Sequence, residues 1–297
     1  MRPRHDAGPA VVHRLTEAGD GLGTVFLVHP GALAAGVHRT LAEALPPGTG
    51  LTVLDLSGHP AYWEAALTGG RADTTVEELA DRIGGELEAL DDGGPRTLAG
   101  WSFGGVVAQA LVERMPVGRR PDRLVLLDSI APTPEYQQPD DALEPALLLG
   151  WFAMYLGAKR GRPVDVDPQL LAGGGTEDGL RHVLAAAAAG GALPADTAPA
   201  GLRKLYDTYV DGLLRNNRLT APYTARPATV PLVLVTAERS LLPGDRTLGW
   251  EPLAPHGLEV HRSPGDHYTM LSRPDAAAVI ARLVRPAAAR RAPATKV

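Results

Sequence analysis

Six residues limit this chain more than any others: Gly100-Trp101-Ser102-Phe103-Gly104-Gly105. They follow a short apolar stretch, Thr97-Leu98-Ala99, and open a run of helical character from Val106 to Met115. A G-x-S-x-G between strand and helix is the setting of a nucleophile elbow, where the serine sits on a sharp, strained turn and its hydroxyl stands clear of the sheet. Gly100 and Gly104 remove Cβ atoms for which such a turn has no room, and Gly105 lets the helix pack close. The same hexapeptide also fits a plain βα turn whose serine only caps the helix, so the rest of the chain must decide.

Around it, short apolar strands alternate with helical stretches. Val11 to Leu15 and Thr24 to Val28 flank Gly19-Asp20-Gly21-Leu22-Gly23, which predicts an antiparallel hairpin with a glycine turn. A helix is expected over Val37 to Leu45, then a buried strand over Leu51 to Leu56, stopped by Ser57-Gly58. Residues 74–90 carry the clearest helical signal. Thr74 with Glu77 and Thr75 with Glu78 both fit a capping box, and Val76, Leu79, Ala80, Ile83, Leu87 and Leu90 recur at helical spacing before Asp91-Asp92-Gly93-Gly94-Pro95 ends the run. Arg123 to Leu127 reads as an apolar strand that ends in Asp128. From 133 to 225 the pattern changes to helices and glycine-rich loops, with helices expected over Leu147 to Leu156, His182 to Ala189 and Leu202 to Leu214. Strands return at Val230 to Val235 and Leu258 to His261, and Asp275 to Val284 is a closing helix.

The alternation predicts one α/β domain over residues 1–297, with a mainly parallel central sheet and helices on both faces. Its core is expected at about 11–132 and 226–285, with a helical lid insertion at about 133–225 lying over the sheet edge. The Ala-, Arg- and Pro-rich end, 286–297, is expected to be a disordered tail.

Composition removes several function classes. A net charge of −5 gives no basic patch for nucleic acid. With no cysteine, disulfides, thiolate metal sites and a cysteine nucleophile are excluded. The nine histidines include no H-x-x-x-H pair, so no metal site is expected. No apolar run has the length of a membrane span, and the polar start Met1-Arg2-Pro3-Arg4-His5-Asp6 does not read as a secretory signal, so the expected location is the cytoplasm.

In open α/β sheets, functional groups gather at the carboxyl ends of strands. Ser102, Asp128 and His267 stand at such places, in the chain order Ser, Asp, His that α/β hydrolases use. A serine hydroxyl needs an imidazole base, and the imidazole needs a carboxylate to fix its tautomer. Glu238, after the next strand, is the rival carboxylate, and either acid can also be a structural residue. His29 precedes the serine and is expected to shape the loop it lies in. The oxyanion formed on attack needs N–H donors: the backbone of Phe103 supplies one, and Gly31 or Ala32, after an early strand, the other.

With these residues placed, the chain resembles the thioesterase domains that end nonribosomal peptide and polyketide synthases, members of the α/β-hydrolase superfamily. Leu98 to Gly105 looks like their nucleophile motif, and Leu126-Leu127-Asp128-Ser129 like their acid-bearing strand end. Leu248-Gly249-Trp250 and Pro264 to Leu271 are similar to their histidine region. His29-Pro30-Gly31 resembles their oxyanion loop, although Ala32 and Leu33 stand where many members carry further glycines. The resemblance covers roughly residues 20–285 and favours Asp128 over Glu238 as the acid.

The resemblance implies an α/β-hydrolase fold and an acyl or peptidyl chain carried on the phosphopantetheine thiol of a carrier protein, with no cofactor of the enzyme's own. Ser102 takes the chain as an ester, which water hydrolyses or an internal nucleophile cyclises. The lid implies a channel wall, for which Leu148, Trp151, Phe152 and Tyr155 are candidates, though lid packing accounts for them equally well. The start at Met1 and the lack of a preceding carrier domain favour a free-standing protein acting in trans. Two other functions fit the same residues: an acyltransferase or general esterase using the same acyl-serine, and a non-catalytic binding module on a hydrolase scaffold.

Overall fold

In the computed structural model, which describes residues 10–19, 22–67, 74–90, 93–137, 139–242 and 244–286, seven strands form one sheet. They are β1 (Val12–Thr16), β2 (Thr24–His29), β3 (Gly50–Asp55), β4 (Arg96–Trp101), β5 (Leu124–Leu127), β6 (Leu232–Arg239) and β7 (Leu258–Asp266). Their order is β1-β3-β2-β4-β5-β6-β7, and every neighbouring pair is parallel except β1 with β3.

The expected hairpin between the first two strands does not form. β1 pairs antiparallel with β3, Val12 opposite Leu54, while β2 lies between β3 and β4. Side-chain polarity explains the exchange. β2 is buried from Val25 to His29 and needs a neighbour on each side, whereas the part-exposed β1, with His13 and Arg14, suits an edge. Two residues of the expected turn, Asp20 and Gly21, lie outside the described residues, as do Asp91, Asp92 and the tail from 287 onward.

The inner strands alternate with period two, and each face has its own core. Val25, Leu27, Val53, Ala99, Val125, Leu127, Val233 and Val235 pack with α1 (Arg39–Ala44), α9 (Pro274–Val284) and much of the lid. Phe26, Val28, Leu54, Leu98, Leu124, Leu126, Leu232 and Leu234 pack with α2 (Pro60–Leu67), α3 (Val76–Ala89) and α4 (Phe103–Arg114). Of the two candidate caps for α3, Thr75 is the one used: its hydroxyl accepts the Glu78 N–H at 3.1 Å. α2 has no counterpart in the sequence reading, because Ser57-Gly58 was taken as the end of the segment and Pro60, a favourable first helical residue, was passed over.

Between β5 and β6 run α5 (Pro145–Arg160), α6 (Pro168–Ala172), α7 (Thr176–Ala189) and α8 (Pro199–Thr220). All three expected lid helices are present and longer than expected, and α6 is additional. α5 and α8 both reach over the carboxyl ends of the central strands. A sheet of this order, with helices on both faces and an insertion after β5, is the α/β-hydrolase architecture. Among the described residues no helix is long and apolar enough to cross a membrane.

Candidate active site

Four parallel strands deliver the candidate residues directly past their carboxyl ends: Pro30-Gly31-Ala32 after β2, Ser102 after β4, Asp128 after β5 and His267 after β7. Ser102 has φ 53° and ψ −130°, a backbone conformation that L-residues rarely adopt and that persists only where the surroundings enforce it. The enforcement is visible at Gly104, where a Cβ would lie 2.2 Å from the carbonyl oxygen of Val28 on β2. α4 can therefore start against the sheet only with glycine there. Phe103 is the first residue of α4, so its N–H belongs to the helix N-terminus, which has no intrahelical acceptor and carries partial positive charge.

Asp128 also has positive φ, 42°, and both its carboxylate oxygens are engaged. One accepts the backbone N–H of Ala237 at 3.0 Å, and the other lies 2.7 Å from His267 Nδ1. Asp128 and His267 are each only 1% exposed. A carboxylate is an acceptor only, so Nδ1 carries the imidazole proton and Nε2 is left as the base. Glu238, the rival acid, is exposed near the end of β6, and its carboxylate accepts the Gly265 N–H at 3.4 Å instead.

The histidine loop is pinned from several directions. Asp266 Oδ1 accepts the N–H groups of Tyr268 and Thr269 at 3.0 and 2.8 Å, and Arg239 pairs with Asp266 Oδ2 at 3.2 Å. Trp101 lies beside the His267 ring, centroids 5.1 Å apart, and its indole N–H donates to the His267 carbonyl at 3.0 Å. On its other face Trp101 stacks on His29 at 5.2 Å.

His29 takes the loop-shaping position. Its Nε2 lies 2.7 Å from the Leu33 carbonyl, and its Nδ1 lies 3.1 Å from Nε2 of His38. Burial lowers the pKa of both rings, and for His38 the neighbouring His29 lowers it further. Both are thus held neutral, with His29 donating from Nε2 and His38 donating to His29 Nδ1. The Pro30 carbonyl of the same loop lies 3.0 Å from the hydroxyl of Tyr62 on α2. That hydroxyl also lies 2.7 Å from Asn216 Oδ1 and accepts an Arg215 N–H at 2.7 Å, both from α8.

Two cavities meet at Ser102. One, of about 520 Å³, brings Gly31, Ala32, Ser102 and His267 together and is bordered by Tyr155, Tyr209 and Tyr268 and by the charged Lys159, Asp211 and Arg215. The other, of about 270 Å³, runs from Ser102 and Phe103 past Val106, Leu143, Leu147 and Trp151 to Leu241 and Leu242. Leu213 and Asn216 of α8 border both. Of the four lid candidates, Trp151 lines the smaller cavity and Tyr155 the larger. Leu148 and Phe152 line neither: they lie on the face of α5 buried in the core. Tyr62, Leu213 and Asn216 were not singled out from the sequence. On α8 the only local signal was an apolar face, which reads as packing.

Comparison with known proteins follows the same lines. A family model described as Thioesterase domain matches residues 23–286. Among solved structures, a holo four-domain nonribosomal peptide synthetase bound to AMP and glycine is 27% identical with a TM-score of 0.63, over 93% of this chain and 20% of that one. The chain therefore spans about a fifth of that synthetase. The NocB thioesterase domain, in covalent complex with a fluorophosphonate nocardicin G analogue, is 25% identical with a TM-score of 0.56, over 92% of this chain and 99% of that one. YbtT, a type II thioesterase from the yersiniabactin pathway, is 16% identical with a TM-score of 0.59, over 93% and 98% of the two chains, and speaks for the fold alone. No curated protein matches the chain.

Proposed function

The chain belongs to the thioesterase-domain family, and on that premise we propose that it is a serine hydrolase of natural-product assembly, taking an acyl chain from the phosphopantetheine thiol of a carrier protein onto Ser102. The observation that carries this reading is the buried pairing of His267 Nδ1 with Asp128 at 2.7 Å, on the wall of the cavity that Ser102 shares.

The Ser102 hydroxyl attacks the thioester carbonyl while His267 Nε2 takes its proton. Asp128, an acceptor at Nδ1–H, stabilises the imidazolium that results. The N–H groups of Phe103 and of Gly31 or Ala32 receive the oxyanion, and these preorganised dipoles lower the barrier without moving. Collapse breaks the C–S bond, and the sulfur leaves as a thiol with the proton from His267. Nε2, bare again, deprotonates a water or an internal hydroxyl or amine, which attacks the ester. Hydrolysis then gives the free acid and cyclisation a ring, and in both Ser102 recovers its proton.

A fluorophosphonate probe followed by mass spectrometry tests this directly. The expected result is one adduct, on Ser102, and none on Ser102→Ala. Turnover of acyl-N-acetylcysteamine thioesters faster than of the matching oxoesters separates a thioesterase from a general esterase, and product formation only with an added amine marks an acyltransferase. A protein that takes no adduct and turns over neither ester class is a binding module.

A further inference from the structure

The two cavities at Ser102 differ in one property that decides what each can hold, and that is charge. Among the described residues, no side chain bordering the 270 Å³ cavity is charged at neutral pH. Its wall is Phe103, Val106, Leu143, Leu147, Trp151 and their apolar neighbours, with amide groups only at Gln137, Asn216 and Asn217. The 520 Å³ cavity is the opposite, with Lys159, Asp211 and Arg215 on its border.

Resting on the thioesterase reading, we propose that the acyl group transferred to Ser102 lies in the smaller cavity and is an uncharged, largely aliphatic chain of medium length, and that aminoacyl or peptidyl chains with a free ammonium in that position are rejected. Size sets the length. An apolar cavity of about 150 Å³ takes a benzene ring. At about 270 Å³, this one takes about ten non-hydrogen atoms on the same scale. Charge sets the class. An ammonium pushed among these side chains loses its water and gains no carboxylate, whereas a methyl group there gains burial. In the larger cavity an ammonium would find Asp211, so the location of the acyl chain and the rejection of charge stand or fall together. The mixed-charge cavity remains for the polar pantetheine arm.

Three N-acetylcysteamine thioesters of equal length isolate the effect: heptanoyl, 6-hydroxyhexanoyl and 6-aminohexanoyl. The expected kcat/KM order is heptanoyl, then hydroxyhexanoyl within about tenfold, because an apolar pocket discriminates weakly against a hydroxyl. 6-Aminohexanoyl is expected at least thirtyfold below heptanoyl. In Leu147→Asp the new carboxylate, in the first turn of α5 where the helix end tolerates it, is expected to narrow the heptanoyl-to-aminohexanoyl ratio by tenfold or more. Leu143→Asp serves as a second placement of the same charge. Equal turnover of heptanoyl and 6-aminohexanoyl by the unaltered protein overturns the inference and leaves the thioesterase reading intact. Absence of turnover of all three, with no fluorophosphonate adduct on Ser102, removes that reading and the inference with it.

Discussion

Asp128 Oδ2 and His267 Nδ1 are 2.7 Å apart at the carboxyl ends of two strands that are not neighbours, with β6 between them. The other Asp128 oxygen is fixed by the Ala237 N–H at the far part of β6. The carboxylate therefore cannot swing away from the imidazole without giving up a second buried bond. Asp128→Asn keeps the shape but offers an amide that can turn its NH2 to His267 and hold the wrong tautomer. We expect kcat to fall by about 10³- to 10⁴-fold, as tautomer errors do elsewhere, while Glu238→Gln stays within about twofold. Steady-state kinetics on a single thioester compares the two, and the opposite order makes Glu238 the acid.

How far the site could be read from the sequence follows from how local each signal is. The elbow was legible because the glycines, the serine and the helix that need one another lie within a dozen residues. The Thr75 cap was legible for the same reason, since donor and acceptor are three residues apart. The first hairpin was misread because proximity in the chain was taken for proximity in the sheet, although the polarity of His13 and Arg14 already marked an edge strand. Tyr62 carried no signal at all. Its partners are Pro30, 32 residues back, and Asn216, 154 residues on, and only the folded chain brings them together.

The Tyr62 hydroxyl gives a sharper test of the oxyanion loop. A peptide group is planar and trans, so holding the Pro30 carbonyl also fixes the direction of the Gly31 N–H on the other side of that plane. Tyr62→Phe keeps the ring stacked near Phe103, centroids 6.0 Å apart, and beneath the Arg215 guanidinium at 4.0 Å. Only the hydroxyl is lost. We expect kcat to drop about tenfold with KM within twofold, because a loosened donor weakens the transition state more than the ground state. Stability should fall by about 1–3 kcal/mol for the buried groups left unpaired. Unchanged kcat with lowered stability would assign Tyr62 to the scaffold alone.

Gly105 is held by packing. A Cβ there would stand 2.3 Å from Oγ and 2.6 Å from Cβ of Ser129 on the strand next to the elbow. Gly105→Ala gains about 1 kcal/mol of helix propensity but overpacks a filled interior, which costs about 1–3 kcal/mol. We expect a net loss, largely reversed on the Ser129→Gly background where both clashing atoms are gone. The Ser129 hydroxyl has no hydrogen-bond partner, so its removal costs little by itself. Urea denaturation of the four proteins measures the coupling, expected above about 1 kcal/mol. Additive changes would mean that α4 can shift away from β5.

His29 and His38 set the acid limit of stability. Both are buried, and burial is the main reason each has its pKa below the ordinary 6.5. Asp55 and the Leu33 carbonyl pull His29 upward, and His13 pulls it down, without reversing that direction. Below about pH 6.5 the unfolded chain takes up protons that the folded chain refuses, so stability falls as pH falls and levels off once the folded rings also protonate. Each such ring contributes at most about 1.4 kcal/mol per pH unit in that window. His59, lowered mainly by its own burial, adds to the same slope in every variant that retains it. His38→Gln keeps an N–H for His29 Nδ1 and removes one titrating group. Urea denaturation at pH 7.5, 6.5, 5.5 and 5.0 should show the variant losing less stability on acidification than the unaltered protein, by up to one proton's worth of slope. Parallel curves for the two proteins would mean that His38 does not resist protonation in the folded chain.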